Sequence, residues 1–292
     1  MQKVRIITDS NSGIKQSEGE KLGVVVISMP FTIDGEEFYE ELTISVEEFY
    51  KYLENDADVK TSQPSQYDLE KIFMDNLKTA EEIVYIPMSS GLSGSYASAK
   101  RIAENFGGKI FVVDNERISI TQKESVFEAI ALAKMGKTGT EIKEYLEQTK
   151  GINSIYIMMG VLKYLKKGGR ISPSASALGS MLNIKPILYS NGQNFEKFAL
   201  AVTLTQAKKK MLAQVKKDIL EKFKTEYENG LLTISVAHTQ NQKEAEKFKE
   251  EIMKEFPNLA FRFVDELSLS VACHIGPGAL AVCLSPNKFL EK

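Results

Sequence analysis

Tryptophan is absent from this 292-residue chain, and cysteine and histidine occur only twice each. Each scarcity excludes something. Two cysteines, Cys273 and Cys283, are too few for a disulfide framework, and they lack the CxxC spacing of a structural zinc site. The two histidines, His238 and His274, have no helical metal-ligand spacing, and the acids are spread over polar helix faces. No metal and no cofactor are therefore expected. No apolar run approaches the ~20 residues of a membrane span, so stable membrane insertion is not expected. Charge excess is missing too: 37 basic residues stand against 39 acidic ones, a formal net charge of −2. That argues against non-specific nucleic-acid binding, which needs a basic excess. The opening Met1-Gln2-Lys3-Val4-Arg5-Ile6 lacks the apolar core of a signal peptide, which predicts a cytoplasmic protein. The P-loop string is absent. Gly91-Leu92-Ser93-Gly94-Ser95 misses the G-x-S-x-G elbow of serine hydrolases because its second glycine comes one residue early.

What remains is an ordinary globular composition, 43% hydrophobic and 26% charged, with length enough for two domains. Apolar runs at 4–8, 22–31, 83–87 and 109–114 read as strands. Helical patterns over 66–80, 97–106, 119–135 and 138–148 alternate with them. Capping boxes stand at Ser45-Val46-Glu47-Glu48, which opens a helix through about Asn55, and at Thr138-Gly139-Thr140-Glu141. This alternation predicts an N-terminal α/β domain over 1–150 with a parallel sheet and flanking helices.

From 151 to 292 the pattern changes. Strands at 155–159, 231–239 and 260–267 join a hairpin signal, Asn191-Gly192, between runs at 183–190 and 194–201. A short helix at 161–166, a long helix at 205–227 and a charged helix at 242–256 complete a second α/β domain with a mixed sheet.

One stretch organises the chemistry. Ser89-Ser90-Gly91-Leu92-Ser93-Gly94-Ser95-Tyr96 lies between a buried strand and a helix. A glycine-spaced, hydroxyl-rich turn at a helix start offers free N–H groups and the positive end of the helix dipole to an anion. An ordinary serine-capped turn reads the same way. A second hydroxyl loop, Thr61-Ser62-Gln63-Pro64-Ser65, lies upstream. Thr8-Asp9-Ser10 closes the first strand, where open α/β sheets bind ligands or simply cap a turn. Arg170, after Gly168-Gly169, has the fork geometry for an anion, or is a surface charge. His274, before Ile275-Gly276-Pro277-Gly278, is a base, an anion ligand or a structural hydrogen-bonder.

Taken together, Thr8-Asp9-Ser10, the Thr61 loop, the Ser89 turn, Tyr164-Leu165-Lys166-Lys167-Gly168-Gly169-Arg170-Ile171-Ser172 and His274-Ile275-Gly276-Pro277-Gly278-Ala279-Leu280 resemble the DegV family. The motifs match in order over almost the whole chain. The resemblance implies two α/β domains with a long-chain fatty acid bound in an apolar tunnel between them. It implies a carboxylate held by Thr61 and Ser93, with Ser62, Gly94, Arg170 and His274 as secondary head-group residues. It also implies a non-catalytic binding protein. Some members are acyl-binding subunits that present the carboxylate to an ATP-dependent fatty acid kinase subunit.

Three departures bear on those expectations. Val202 stands where an arginine is common, which weakens the kinase-coupled role more than fatty acid binding. Ser119-Ile120-Thr121-Gln122 replaces a small glycine-containing stretch, and Ile275 replaces a threonine; both would reshape the pocket mouth. Two other readings stay open. One is a phosphate-ester transferase or hydrolase that uses residues 89–95, from Ser89 to Ser95, as anion cradle and His274 as base. The other is a paralogue that binds a different apolar acid as sensor or scaffold.

Overall fold

The computed structural model describes residues 2–161, 163–164, 169–176 and 184–289. The chain divides into two compact units, Met1–Gly151 with Ser268–Ser270, and Ile152–Leu267 with Val271–Lys292.

The first unit runs β1 (Gln2–Asp9), α1 (Gln16–Leu22), β2 (Val25–Ile27), β3 (Pro30–Ile33), β4 (Glu36–Tyr39), α2 (Val46–Glu54), β5 (Val59–Thr61), α3 (Gln66–Leu77), β6 (Ala80–Ile86), α4 (Ser95–Ala103), β7 (Ile110–Val112), α5 (Ile120–Lys134) and α6 (Gly139–Gln148). A four-stranded sheet in the order β2-β1-β6-β7 is parallel throughout. Its strands are rich in Val and Ile because both faces are covered. On one face Ile7, Ile83, Tyr85 and Val112 meet Phe73 of α3 and Ile102 of α4. The Phe73 ring stands edge-on to Tyr85 at 5.8 Å. Each large side chain buried there contributes roughly 1.5–3 kcal/mol. Both capping boxes form, at Ser45 and at Thr138, with the box glutamate returning to the cap N–H in each.

The single strand expected over 22–31 is three pieces. Leu22 ends α1, Gly23 caps it at φ 70° in the left-handed region, and β2 and β3 then enter different sheets. A run of apolar residues is continuous in composition, but its hydrogen bonds go to separate partners. β3 is the centre of a small antiparallel sheet, order β4-β3-β5. Asp34 and Gly35, at φ 50° and 90°, make the tight hairpin between β3 and β4. Phe49 of α2 packs edge-on against Phe31 at 5.5 Å. Ala80, expected on the apolar face of α3, instead opens β6.

The second unit contains β8 (Ser154–Met158), α7 (Pro173–Ser176), β9 (Lys185–Ser190), β10 (Phe195–Ala201), α8 (Leu204–Glu221), α9 (Lys224–Glu228), β11 (Leu232–His238), α10 (Gln242–Glu255), β12 (Ala260–Glu266), α11 (Leu269–Ile275), whose first two residues belong to the first unit, and β13 (Leu280–Pro286). Its sheet runs β10-β9-β8-β13-β11-β12 and is mixed: only β11 and β12 pair in parallel. Met211, Val215 and Ile219 of α8 and Phe248 and Ile252 of α10 share one core with Ile187, Ile234 and Val282.

The long helix expected over 205–227 breaks at Lys222. The N–H groups of Lys222 and Phe223 both close on the Asp218 carbonyl, at 2.8 and 2.9 Å, and Phe223 is fully buried. The Asn191 hairpin forms, but its loop spans 191–194. Asn191 Oδ1 accepts from the N–H groups of Gln193 and Asn194, so a side-chain turn replaces the two-residue one. Of the short helix expected over 161–166, Lys163 and Tyr164 are helical, while residues 162, 165 and 166, like Lys167, Gly168 and Asn183, lie outside the described residues.

Candidate functional site

Thr61 is the last residue of β5, paired with Phe31 of β3 and partly buried. Ser62 continues the ladder: its N–H donates to the Pro30 carbonyl at 3.1 Å. Pro64 is buried and keeps Gln63 extended. Ser65 then caps α3, accepting from Asp68 N at 3.1 Å. The chain thus leaves an antiparallel strand and enters a helix within four residues, and Gln63 projects between them.

The second loop leaves β6. Ser89 N donates to the Arg117 carbonyl at 2.9 Å, and the Ser89 carbonyl accepts from Leu92 N and Ser93 N, each at 3.1 Å. Ser90 Oγ donates to Asp114 Oδ2 at 2.9 Å. Ser93 Oγ lies 2.9 Å from Ser95 Oγ and accepts from Ser95 N at 3.2 Å. Gly94, the N-cap of α4, has no side chain to offer the first turn. The opening N–H groups of a helix have no intrahelical partners and carry its partial positive charge. Ser93 Oγ takes only the first of these N–H groups, that of Ser95, so the rest of the opening turn, flanked by hydroxyls, is chemically suited to an anion.

The two loops meet. Ser98 Oγ, one turn into α4, donates to Gln63 Oε1 at 3.0 Å. A Cβ on Gly94 would lie 2.9 Å from the same oxygen, so the glycine permits this approach. The sequence alone gives Gln63 no role beyond its place in the hydroxyl loop, because its partner is 35 residues away.

The scaffold behind the turn is polar and buried. Asp9, wholly buried at the end of β1, accepts from Met88 N at 2.9 Å, Asn11 N at 3.1 Å and Gln122 Nε2 at 3.1 Å. Arg117, 1% exposed, holds Glu128, Ser125 and the Thr149 carbonyl. It fixes the loop whose carbonyl receives Ser89 N. Burial pushes the Asp9 carboxyl up, against the pull of its donors, and pushes the Glu128 carboxyl up against the Arg117 charge.

In the second unit Arg170 and His274 are electrostatically coupled. Burial first, and the Arg170 charge second, push the His274 imidazole down to about 4. It is neutral at pH 7 and a weak base there. The 276–278 loop after it is clamped: Thr239 Oγ1 donates to the Gly276 carbonyl at 2.6 Å and accepts from Ala279 N at 3.0 Å. Gly276 is obligatory, since it sits at φ 76° and a Cβ there would lie 2.1 Å from the Tyr164 ring. Arg170 itself is exposed, and its carbonyl accepts from Phe195 N at 3.0 Å. Val202 is 67% exposed, and its N–H donates to Gln206 Oε1 at 2.8 Å. Among the described residues no helix is long and apolar enough to cross a membrane.

A family model described as "Uncharacterised protein, DegV family" matches residues 3–287. A DegV domain-containing protein of Staphylococcus aureus is 31% identical over 287 residues, covering 97% of this chain and 98% of the relative. One from Clostridium perfringens is 30% identical over 290 residues, covering 97% of each. Among solved structures, that of a protein from Bacillus subtilis described as DegV, a fatty acid binding protein, superposes with a TM-score of 0.84 at 25% identity. It covers 98% of this chain and all of the other. A DegV family protein from Thermus thermophilus, whose structure is described by its fatty acid binding, shares the fold with a TM-score of 0.88 at 24% identity. The match covers 97% of this chain and 99% of that one.

Proposed function

This chain belongs to the DegV family, and from that premise we propose that it binds a long-chain fatty acid as a non-catalytic, cytoplasmic protein. The carboxylate is held by the hydroxyls of Thr61 and Ser93 and the opening N–H groups of α4. The acyl tail enters an apolar tunnel. Ser62, Gly94, Arg170 and His274 are secondary head-group residues. The observation that carries this reading is the Ser98–Gln63 hydrogen bond, which joins the end of the Thr61 strand to the Ser93 turn. The description of the Bacillus subtilis structure supports the ligand class.

The physics is consistent. A carboxylate beside apolar surface needs donors. Each charge-assisted hydrogen bond contributes roughly 1.5–3 kcal/mol. Each buried CH₂ of the tail adds about 0.8 kcal/mol before entropy costs. Affinity then comes mainly from the tail, and the hydroxyls fix its register. The phosphate-ester reading needs a base near neutrality, and an imidazole held at about 4 is a poor one. Presentation of the carboxylate to an ATP-dependent kinase subunit remains part of the proposal, weakened by Val202.

The test is to denature the purified protein and identify what it releases by mass spectrometry. The expected result is near-stoichiometric long-chain fatty acid. A nucleotide or sugar phosphate in its place overturns the reading.

A further inference from the structure

Thr8-Asp9-Ser10 is the one motif of the first unit that the proposed carboxylate contacts do not use. In the sheet order β2-β1-β6-β7 the connections diverge between β1 and β6, because β1 continues to one side and β6 to the other. The crevice beyond the carboxyl ends of two such strands is where open α/β sheets ordinarily take a ligand. Here it is filled from within. Gln122, in the first turn of α5, is fully buried, and its Nε2 reaches Asp9 Oδ1 at 3.1 Å, Thr8 Oγ1 at 3.2 Å and the Ile86 carbonyl at 3.1 Å. Its Oε1 has no hydrogen-bond partner. An orphaned buried acceptor is costly, so the donor side of this amide is what the fold retains.

Asp9 itself is an acceptor on all sides. Oδ1 takes Gln122 Nε2 and Asn11 N, and Oδ2 takes Met88 N at 2.9 Å. Met88 is the residue before Ser89, and the Ser89 carbonyl accepts Ser93 N. Two steps of hydrogen bonding therefore connect the Asp9 carboxylate to the backbone of Ser93.

Resting on the carboxylate reading above, we propose that Asp9 is a positioning residue for the head-group turn. Gln122 fills the crevice where a ligand would otherwise sit, and Asp9, through Met88 N, sets the register of residues 89–95. Gln122 holds the Asp9 carboxylate in place. Asp9 touches no ligand. It determines how well Ser93 meets a carboxylate and leaves the tail site unaffected.

The experiment compares a long-chain fatty acid with the fatty alcohol of the same tail, which lacks the carboxylate. Affinities for both are measured by calorimetry on wild type, Asp9→Asn, Gln122→Ala and Ser93→Ala, alongside the thermal midpoint of each. Asp9→Asn turns an amide N–H₂ or a lone acceptor toward donors that need two acceptors. The expected result is a loss of about tenfold in acid affinity with alcohol affinity held within about twofold, and a smaller loss of the same kind for Gln122→Ala. An acid-to-alcohol ratio unchanged in Asp9→Asn overturns the inference, whatever happens to the midpoint. If Asp9→Asn does not fold, the ratio in Gln122→Ala decides by the same rule. Should wild type fail to prefer the acid, or Ser93→Ala leave the preference intact, the carboxylate reading itself fails and this inference with it. If those controls hold and Asp9→Asn changes nothing, only the inference fails.

Discussion

Ser98 Oγ donates to Gln63 Oε1 across 3.0 Å, and this single bond joins a loop leaving an antiparallel strand to a turn leaving a parallel one. Gly94 makes room for it, since any side chain there would press on the same oxygen. Gln63→Ala should thus loosen the two hydroxyl loops from each other while leaving the core untouched. The expected effect is a stability change within about 1 kcal/mol, because the bond is exposed, and weaker fatty acid binding. Gly94→Ala should act in the same direction. Thermal melts and calorimetry on both variants check this; binding unchanged in both would separate the two loops functionally.

The hydroxyls proposed to hold the head group can be removed one at a time. Thr61→Ala and Ser93→Ala should each weaken fatty acid binding by about 1–3 kcal/mol, the cost of leaving a buried carboxylate short of one donor. The tail keeps its burial, so neither variant should abolish binding. Calorimetry of the double variant is the stringent version. Full affinity there would put the carboxylate elsewhere.

His274 predicts a pH dependence of stability. Its ordinary value is 6.5 and its folded value is about 4, lowered by burial and by Arg170. Between those values the unfolded chain takes up a proton that the folded imidazole refuses. The unfolded state binds more protons there, so stability falls as the pH drops from 6.5 to 4 and is unaffected by this group above 6.5. Asp9, pushed up by burial, works in the opposite sense as the pH rises above 3.8. The clean measurement is therefore the difference between wild type and His274→Gln in urea midpoints across that range. The wild type should lose ground to the variant toward pH 4, and parallel curves would reject the shifted imidazole.

Under the kinase-coupled part of the proposal, an acyl phosphate needs charge stabilisation, and Val202 offers only an exposed apolar side chain. With the kinase subunit of its host, ATP and loaded protein, wild type should support phosphorylation poorly. Val202→Arg should raise the rate and leave fatty acid affinity nearly unchanged. Robust wild-type turnover that the substitution does not improve would show that position 202 does not limit the reaction.

Local chemistry was legible in the sequence because its partners are local. The capping boxes at Ser45 and Thr138 close over three residues. The strand–helix alternation of the first unit and the hairpin of the second follow from patterns of the same short range. The order of motifs also sufficed to indicate the family. Tertiary structure decided the rest. Residues 22–31 read as one strand, yet they end a helix and feed two different sheets, since hydrogen-bond partners are not encoded by an apolar run. Ser268 and Ser270 both donate to Asn11 Oδ1 and so belong to the first unit, although the flanking sequence belongs to the second. Gln122 lies 113 residues from Asp9 in sequence and read only as part of a departure from the family's small residues. Folding alone shows that its amide fills the crevice between β1 and β6. A side chain's donor has meaning only once the chain has brought an acceptor to it, and at that separation no local pattern records the meeting.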